Sequence, residues 1–267
     1  MVRLNSALTS LGFSFERQAR APTVWGFCLA SAGVAWALTI RATTGMGNGP
    51  GTIGLSLVGF MPLWVAMMAA MMLPSVASAG SMYLRAVKMR SASWLRALRV
   101  GLLIVGYLGV WAAFGVLAFV TAWGAGRMAG QAPRAALWTG AAILAVAGLY
   151  QVTPLKERCL KQCRSPLGLL LHYGSYSGRL RDLRVGIAHG GFCLGCCWGL
   201  MVVLFALGVM SLVWMALVAL VILAEKALPG GERLAWATAV ALVALGVWVG
   251  TAPASVPGLT QPTHLGA

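Results

Sequence analysis

An all-α fold, a polytopic transmembrane helix bundle of about seven spans with its amino terminus in the cytoplasm, is what the sequence predicts. Three observations carry that expectation. Apolar residues make up 60% of the 267-residue chain and charged residues 9%, and a mean hydropathy of +0.84 lies outside the range of soluble globular domains. The apolar residues fall in runs long enough to cross a hydrocarbon layer of about 30 Å, which takes about 20 residues of helix. The basic residues collect in alternate loops between those runs.

With no water in a bilayer core, each backbone amide has to be satisfied inside its own helix, so apolar runs can be read as helices. In order they cover about 23–40, 55–82, 100–123, 135–151, 186–208, 211–225 and 234–250. The first follows a leader of more than twenty residues and ends in TIRATTG without a small-x-small cleavage site, so it reads as a retained helix rather than a signal peptide. The second holds the stretch MPLWVAMMAAMMLPS, with Pro62 and Pro74 bracketing four methionines. Both prolines remove a ladder hydrogen bond and leave a carbonyl free. The fifth contains HGGFCLGCCWGLM, residues 189–201.

The net charge of +15 does not point to nucleic acid, because the basic residues lie between apolar runs rather than on one soluble face. It reports topology instead. The segments before the first run, after the second, after the fourth and after the sixth hold 17 of the 20 Lys and Arg; the remaining loops hold Arg41, Arg127 and Arg134. The positive-inside rule then places the amino terminus and residues 85–99 and 152–185 in the cytoplasm. The predicted organisation is a cytoplasmic or interfacial leader at 1–22, a transmembrane helical domain at 23–250, and a flexible extracytoplasmic tail at 251–267. A membrane, crossed several times, is the expected location, with membrane lipid as the first partner. The longest loop is too short and too basic to bury a core of its own.

On a helix, His189, Cys193, Cys196 and Cys197 stand at steps of i+4, i+3 and i+1, within an arc of roughly 100°. Thiolate, thioether and imidazole groups suit Cu(I), Zn(II) or iron–sulfur clusters, and sulfur-rich sites favour Cu(I). Zinc and iron stay open on residue chemistry alone. A single buried cysteine is ordinarily a small apolar packing residue, which is the reading for Cys28. Three cysteines in five positions with a histidine one turn earlier exceed that, and an imidazole inside a span needs a partner. Adjacent Cys196 and Cys197 are not expected to bind one ion together from a regular helix, so two or three of the four groups would ligate.

Met67 pairs with Met71, and Met68 with Met72, at i+4, so two thioether rows run along neighbouring strips of the second helix. Methionine rows usually fill cores. Depth argues for more: Met72 lies thirteen residues before Arg85 and Cys197 thirteen residues after Arg184. Each is then about 20 Å from the cytoplasmic end of its helix at 1.5 Å per residue, so thioethers and thiols can meet near mid-membrane.

In QVTPLKERCLKQCRSPL, residues 151–167, Cys159 and Cys163 stand at i+4 on a short basic helix at the cytoplasmic surface. Basic neighbours favour the thiolate, the form that binds metal or attacks a disulfide, and a structural disulfide is not expected on the reducing side. The pair could pass an ion to or from His172 and the stripe beginning at His189, or be two inert interfacial residues. Glu225 beside Lys226 reads as an interfacial pair or anchor at the end of the sixth helix. Five acids and three histidines supply no Ser-His-Asp set, paired carboxylates or phosphate loop. An enzyme is not expected, and neither is nucleotide-driven pumping.

Four blocks together, MPLWVAMMAAMMLPS, QVTPLKERCLKQCRSPLG, GGFCLGCCWGLM and WMALVALVILAEK, resemble a bacterial family of predicted metal-binding integral membrane proteins, a domain family of unknown function. The resemblance covers about residues 23 to 250. Some members are linked with copper delivery to secreted or membrane oxidases such as tyrosinases, and the resemblance implies the same role here. It implies metal ligands at Cys193, Cys196 and Cys197, at Cys159 and Cys163, and at Met67, Met68, Met71 and Met72. A periplasmic or membrane copper oxidase and a soluble metallochaperone are the expected protein partners.

The leading expectation is a protein that binds Cu(I) through Cys, Met and His and delivers or moves it to extracytoplasmic copper proteins. A transmembrane thiol–disulfide carrier is the alternative, since Cys193-Leu194-Gly195-Cys196 is a C-x-x-C pair. The methionine rows separate the two, because thioethers ligate copper and take no part in dithiol exchange. A third reading, a structural subunit of a membrane complex, leaves both sulfur clusters as packing.

Overall fold

Every apolar run is helical in the computed structural model, which describes residues 22–43, 54–88, 93–164, 178, 180–208 and 211–251. Among these there are eight helices and no strand: α1 (Pro22–Thr43), α2 (Leu57–Lys88), α3 (Ser93–Gln131), α4 (Pro133–Tyr150), α5 (Pro154–Arg164), α6 (Arg181–Leu207), α7 (Leu212–Ala227) and α8 (Gly231–Thr251). The expected leader up to residue 21, the tail beyond Thr251 and His172 lie outside the described residues.

The all-α expectation holds; the span count is less simple than seven. Five helices are long and apolar enough to cross a membrane, and six if α4 and α5, bent by 62°, are taken as one broken span. The run expected at 211–225 forms α7, whose 16 residues reach only about 24 Å at 1.5 Å per residue. Conversely α3 extends well past the expected 100–123 to 39 residues. It stops where Pro133 disfavours helical geometry at Ala132, whose φ is −142° and ψ 74°. The same proline then opens α4 at its first turn, where a missing N–H costs nothing.

The break between α4 and α5 has a local cause. Pro154 cannot continue the α4 ladder, and the Thr153 hydroxyl turns back to the Tyr150 carbonyl while accepting from the Lys156 amide at 3.4 Å. Thr153 thereby caps the new helix as it leaves at an angle.

The centre of the bundle is α6. More than half of its span, 56%, is buried, against 28–44% for the other four long spans, and it packs on α3, α4, α5 and α7. Its crossing with α3 is set by glycine: a Cβ on Gly186 would collide with the Leu103 carbonyl oxygen, and one on Gly106 with that of Leu183. Small residues at such a crossing let two backbones touch. Outward faces carry exposed Val34, Leu117, Trp138, Leu220, Trp236 and Val240, so the long helices are apolar all round, as buried or lipid-facing helices are.

Candidate metal centre

The backbone contact between α3 and α6 brings Tyr107 against the sulfur-bearing stripe. Its hydroxyl is 2.9 Å from Cys193 Sγ. One turn further on, Cys196 and Cys197 also face inward, and all three cysteines are buried. Their sulfurs lie within 4.8 Å of one another. Cys196 Sγ is 3.2 Å from Cys197 Sγ and donates to the Cys193 carbonyl oxygen at 3.2 Å. Chain adjacency therefore does not separate Cys196 from Cys197, contrary to what a regular helix suggested.

His189, also buried on α6, stands outside this group of converging ligand atoms. Its ring centroid is 6.0 Å from that of Tyr107, and its Nδ1 has no hydrogen-bond partner among the described residues. The sequence stripe of four is thus a compact set of three with the imidazole set apart on the same helix.

The four predicted methionines, Met67, Met68, Met71 and Met72, are buried in the same core cluster as the three cysteines. Two contacts fix their height. Trp64 on α2 stacks on Phe205 of α6, centroids 6.4 Å apart. Eleven residues later, Ser75 meets Lys226, which also touches Cys193. Helix α2 therefore runs antiparallel to α6, and its methionines lie between the level of Phe205 and the level of Cys193. Met201 and Met215, buried in this cluster as well, come from α6 and α7; isolated in sequence, neither formed a pattern that could have flagged it.

Cys159 and Cys163 belong to the same neighbourhood. The expectation of two surface thiols is corrected: Cys159 is 9% exposed and Cys163 is half-buried. Their i+4 spacing turns both toward α6 rather than toward solvent. Gly195 makes this fit possible, since a Cβ there would come 2.7 Å from Cys159 Sγ, and Tyr150 donates its hydroxyl proton to the Gly195 carbonyl. Cys163 Sγ is 3.8 Å from Cys196 Sγ.

The reading of Glu225 with Lys226 as an interfacial pair is also corrected. Successive residues on a helix point about 100° apart, and here they serve different partners. Glu225 takes Lys156 of α5, Oε2 to Nζ 2.6 Å, with both side chains buried and Gln151 also accepting from the lysine. Lys226 instead places its ammonium 3.0 Å from Cys193 Sγ and 3.3 Å from Ser75 Oγ. A lysine one residue from an acid gave no hint of this, because only the rotation of α7 against α6 decides which of the two meets the sulfurs.

Chemically, the centre offers three soft donors beside the Tyr107 hydroxyl, in a core cluster that also holds the four methionines, with one fixed positive charge. A metal–thiolate bond of about 2.3 Å at trigonal or tetrahedral angles sets sulfurs about 4 Å apart, within the spread of the three cysteines. Two thiolates around a monovalent ion carry one net negative charge, which the Lys226 ammonium offsets. A family model described as "PpoB2: Copper chaperone" matches residues 61–249, from the start of the methionine run into the last turn of α8. The chain belongs to this copper chaperone family. The matched region contains every cysteine of the centre and all four methionines of the run. No curated protein and no solved structure matches the chain.

Proposed function

We propose that this copper chaperone family member is a multi-pass membrane protein that holds Cu(I) and hands it to copper proteins on the extracytoplasmic side. Cys193, Cys196 and Cys197 are its thiolate ligands. Met67, Met68, Met71 and Met72 are thioether ligands lying toward the far end of α6, Cys159 and Cys163 bring the ion in, and His189 assists from the same helix. The observation that carries the reading is the convergence of three buried cysteine sulfurs within 4.8 Å inside the region matched by the copper chaperone family. Sulfur donors of this kind select Cu(I) over harder ions.

In this reading the partition of basic residues sets the orientation, with the amino terminus and α5 cytoplasmic and residues after Thr251 outside. The location is a bacterial inner membrane. The acceptors are copper oxidases or other copper proteins beyond it, and a soluble metallochaperone supplies the ion. The protein catalyses no reaction of its own. Reporter fusions after residues 90, 165 and 260 test the orientation, and cytoplasmic signal from the last would remove either one span or the whole orientation.

The deciding experiment uses full-length protein in detergent micelles, titrated with Cu(I) against a chromogenic chelator. Wild type takes copper from the chelator, and the variant Cys193→Ser with Cys196→Ser loses tight binding while keeping its helicity. A hydroxyl is a hard, weak donor for Cu(I), and serine is close to cysteine in volume. Undiminished binding by that variant overturns the reading of this cysteine stripe as the metal site. A thiol–disulfide carrier gives a different signature: disulfide exchange blocked by the serines, with no copper retained by wild type.

A further inference from the structure

Five of the six cysteines meet where α5 crosses α6, whereas Cys28 packs with Ala77 in a separate cluster. The three-sulfur centre uses Cys193, Cys196 and Cys197, and the proposed function gives Cys159 and Cys163 a part in entry without a defined position for the ion. Cys163 Sγ reaches Cys196 at 3.8 Å, close to the separation of about 4 Å that two thiolates adopt on one trigonal or tetrahedral ion. Cys196 Sγ lies 3.2 Å from Cys197, so it touches both the inner group and Cys163. Of the five sulfurs, only that of Cys163 belongs to a residue that is not buried.

We propose a second copper position, held between Cys163 and Cys196, which shares the Cys196 sulfur with the inner centre and receives Cu(I) before it. This inference rests on the copper reading above and adds to it a site, a stoichiometry and an order of loading. Cu(I) arriving at Cys163 forms a copper–sulfur bond as that thiol releases its proton, and Cys196 does the same to close the position. For inward movement, the Cys193 or Cys197 thiol bonds the ion while its proton passes to the Cys163 sulfur, whose bond to copper breaks. Cys196 stays bonded throughout, and copper stays Cu(I). With the inner centre filled, a second ion occupies the outer position, and thiolate sulfur bridges the two.

The Lys226 ammonium lies within electrostatic reach of Cys193, Cys196, Cys197 and Cys163. It therefore offsets charge at both positions. The lock that holds Cys163 in place is the buried Lys156–Glu225 pair, supported by Arg164, which donates to the Leu228 carbonyl at the end of α7.

The test is copper stoichiometry on full-length protein in micelles, with Cu(I) supplied anaerobically and counted by mass spectrometry of the intact chain. Wild type binds two ions per chain at saturation. Cys163→Ser and Cys163→Ala each bind one, with unchanged helicity and melting, and take up that first ion more slowly from a chelator. One ion per chain in wild type, or two in both Cys163 variants, overturns the second position while leaving the copper reading intact. No copper in wild type removes both.

Discussion

Replacing Lys156 by methionine isolates the contact that fixes α5, and with it Cys159 and Cys163, against the rest of the bundle. Lys156 and Glu225 are 1% and 2% exposed and 2.6 Å apart. Lys156→Met removes the cation and leaves the Glu225 carboxylate buried, with its other oxygen already unpartnered among the described residues. Breaking a buried pair from one side costs about 3–5 kcal/mol, because the remaining charge is stranded away from water. Glu225→Leu should cost a similar amount by stranding the ammonium, which then has Gln151 alone. The double variant strands neither charge and fills the space with apolar atoms, leaving the buried Gln151 carbonyl oxygen without its donor, so it should cost about 1–3 kcal/mol, well below the sum of the two single variants. Unfolding by a denaturing detergent in mixed micelles, followed by helicity, measures all three. Maleimide labelling of Cys159 should accelerate in the single variants, as α5 lifts from α6, and return toward wild type in the double. Single variants costing under about 1 kcal/mol, or a double variant costing their sum, would falsify the account of this pair as the clamp on α5.

Changing Met67, Met68, Met71 and Met72 together to leucine should lower Cu(I) affinity about tenfold or more with little loss of stability, since the two side chains are nearly equal in volume. Chelator competition reads the first and melting the second; unchanged affinity assigns the methionines to packing alone. Lys226→Met should also weaken copper binding by about tenfold, because it takes away the charge 3.0 Å from Cys193 Sγ. An affinity equal to that of wild type would show that the site needs no counter-charge. Gly186→Ala should destabilise by at least the 1–3 kcal/mol or so typical of overpacking, because the added carbon meets the backbone oxygen of Leu103 rather than a movable side chain. A melt unshifted from wild type would mean that α3 and α6 are less closely apposed.

The chain's own chemistry determines a good deal before any folding is considered. A helix is the one local solution for a backbone segment without water, so apolar runs long enough to cross a membrane announced the helices, and α1, α4, α6 and α8 fall close to where those runs lie. Helical periodicity is equally local, and it put Cys193, Cys196 and Cys197 on one face of α6 and Met67 with Met71 on one face of α2. The i+4 spacing of Cys159 and Cys163 on a short helix was legible for the same reason. Boundaries were less so: α3 continues through polar residues because nothing breaks it before Pro133, and α2 runs on to Lys88, past the expected end at 82.

Contacts between helices follow another logic, in which one rotation or one missing methyl decides which side chains touch. Gly106 and Gly186 draw α3 onto α6 and so bring Tyr107 to Cys193. Gly195 admits Cys159, which turns a presumed surface pair inward and carries Cys163 to Cys196. The turn of α7 separates Glu225 from Lys226, sending the carboxylate to Lys156 and the ammonium to the sulfurs. His189 shares a helical stripe with the cysteines but not their point of convergence, since a stripe fixes direction along one helix and says nothing of the distance to a common centre. Sequence periodicity specifies which atoms face inward, and only close packing between helices specifies which of them meet.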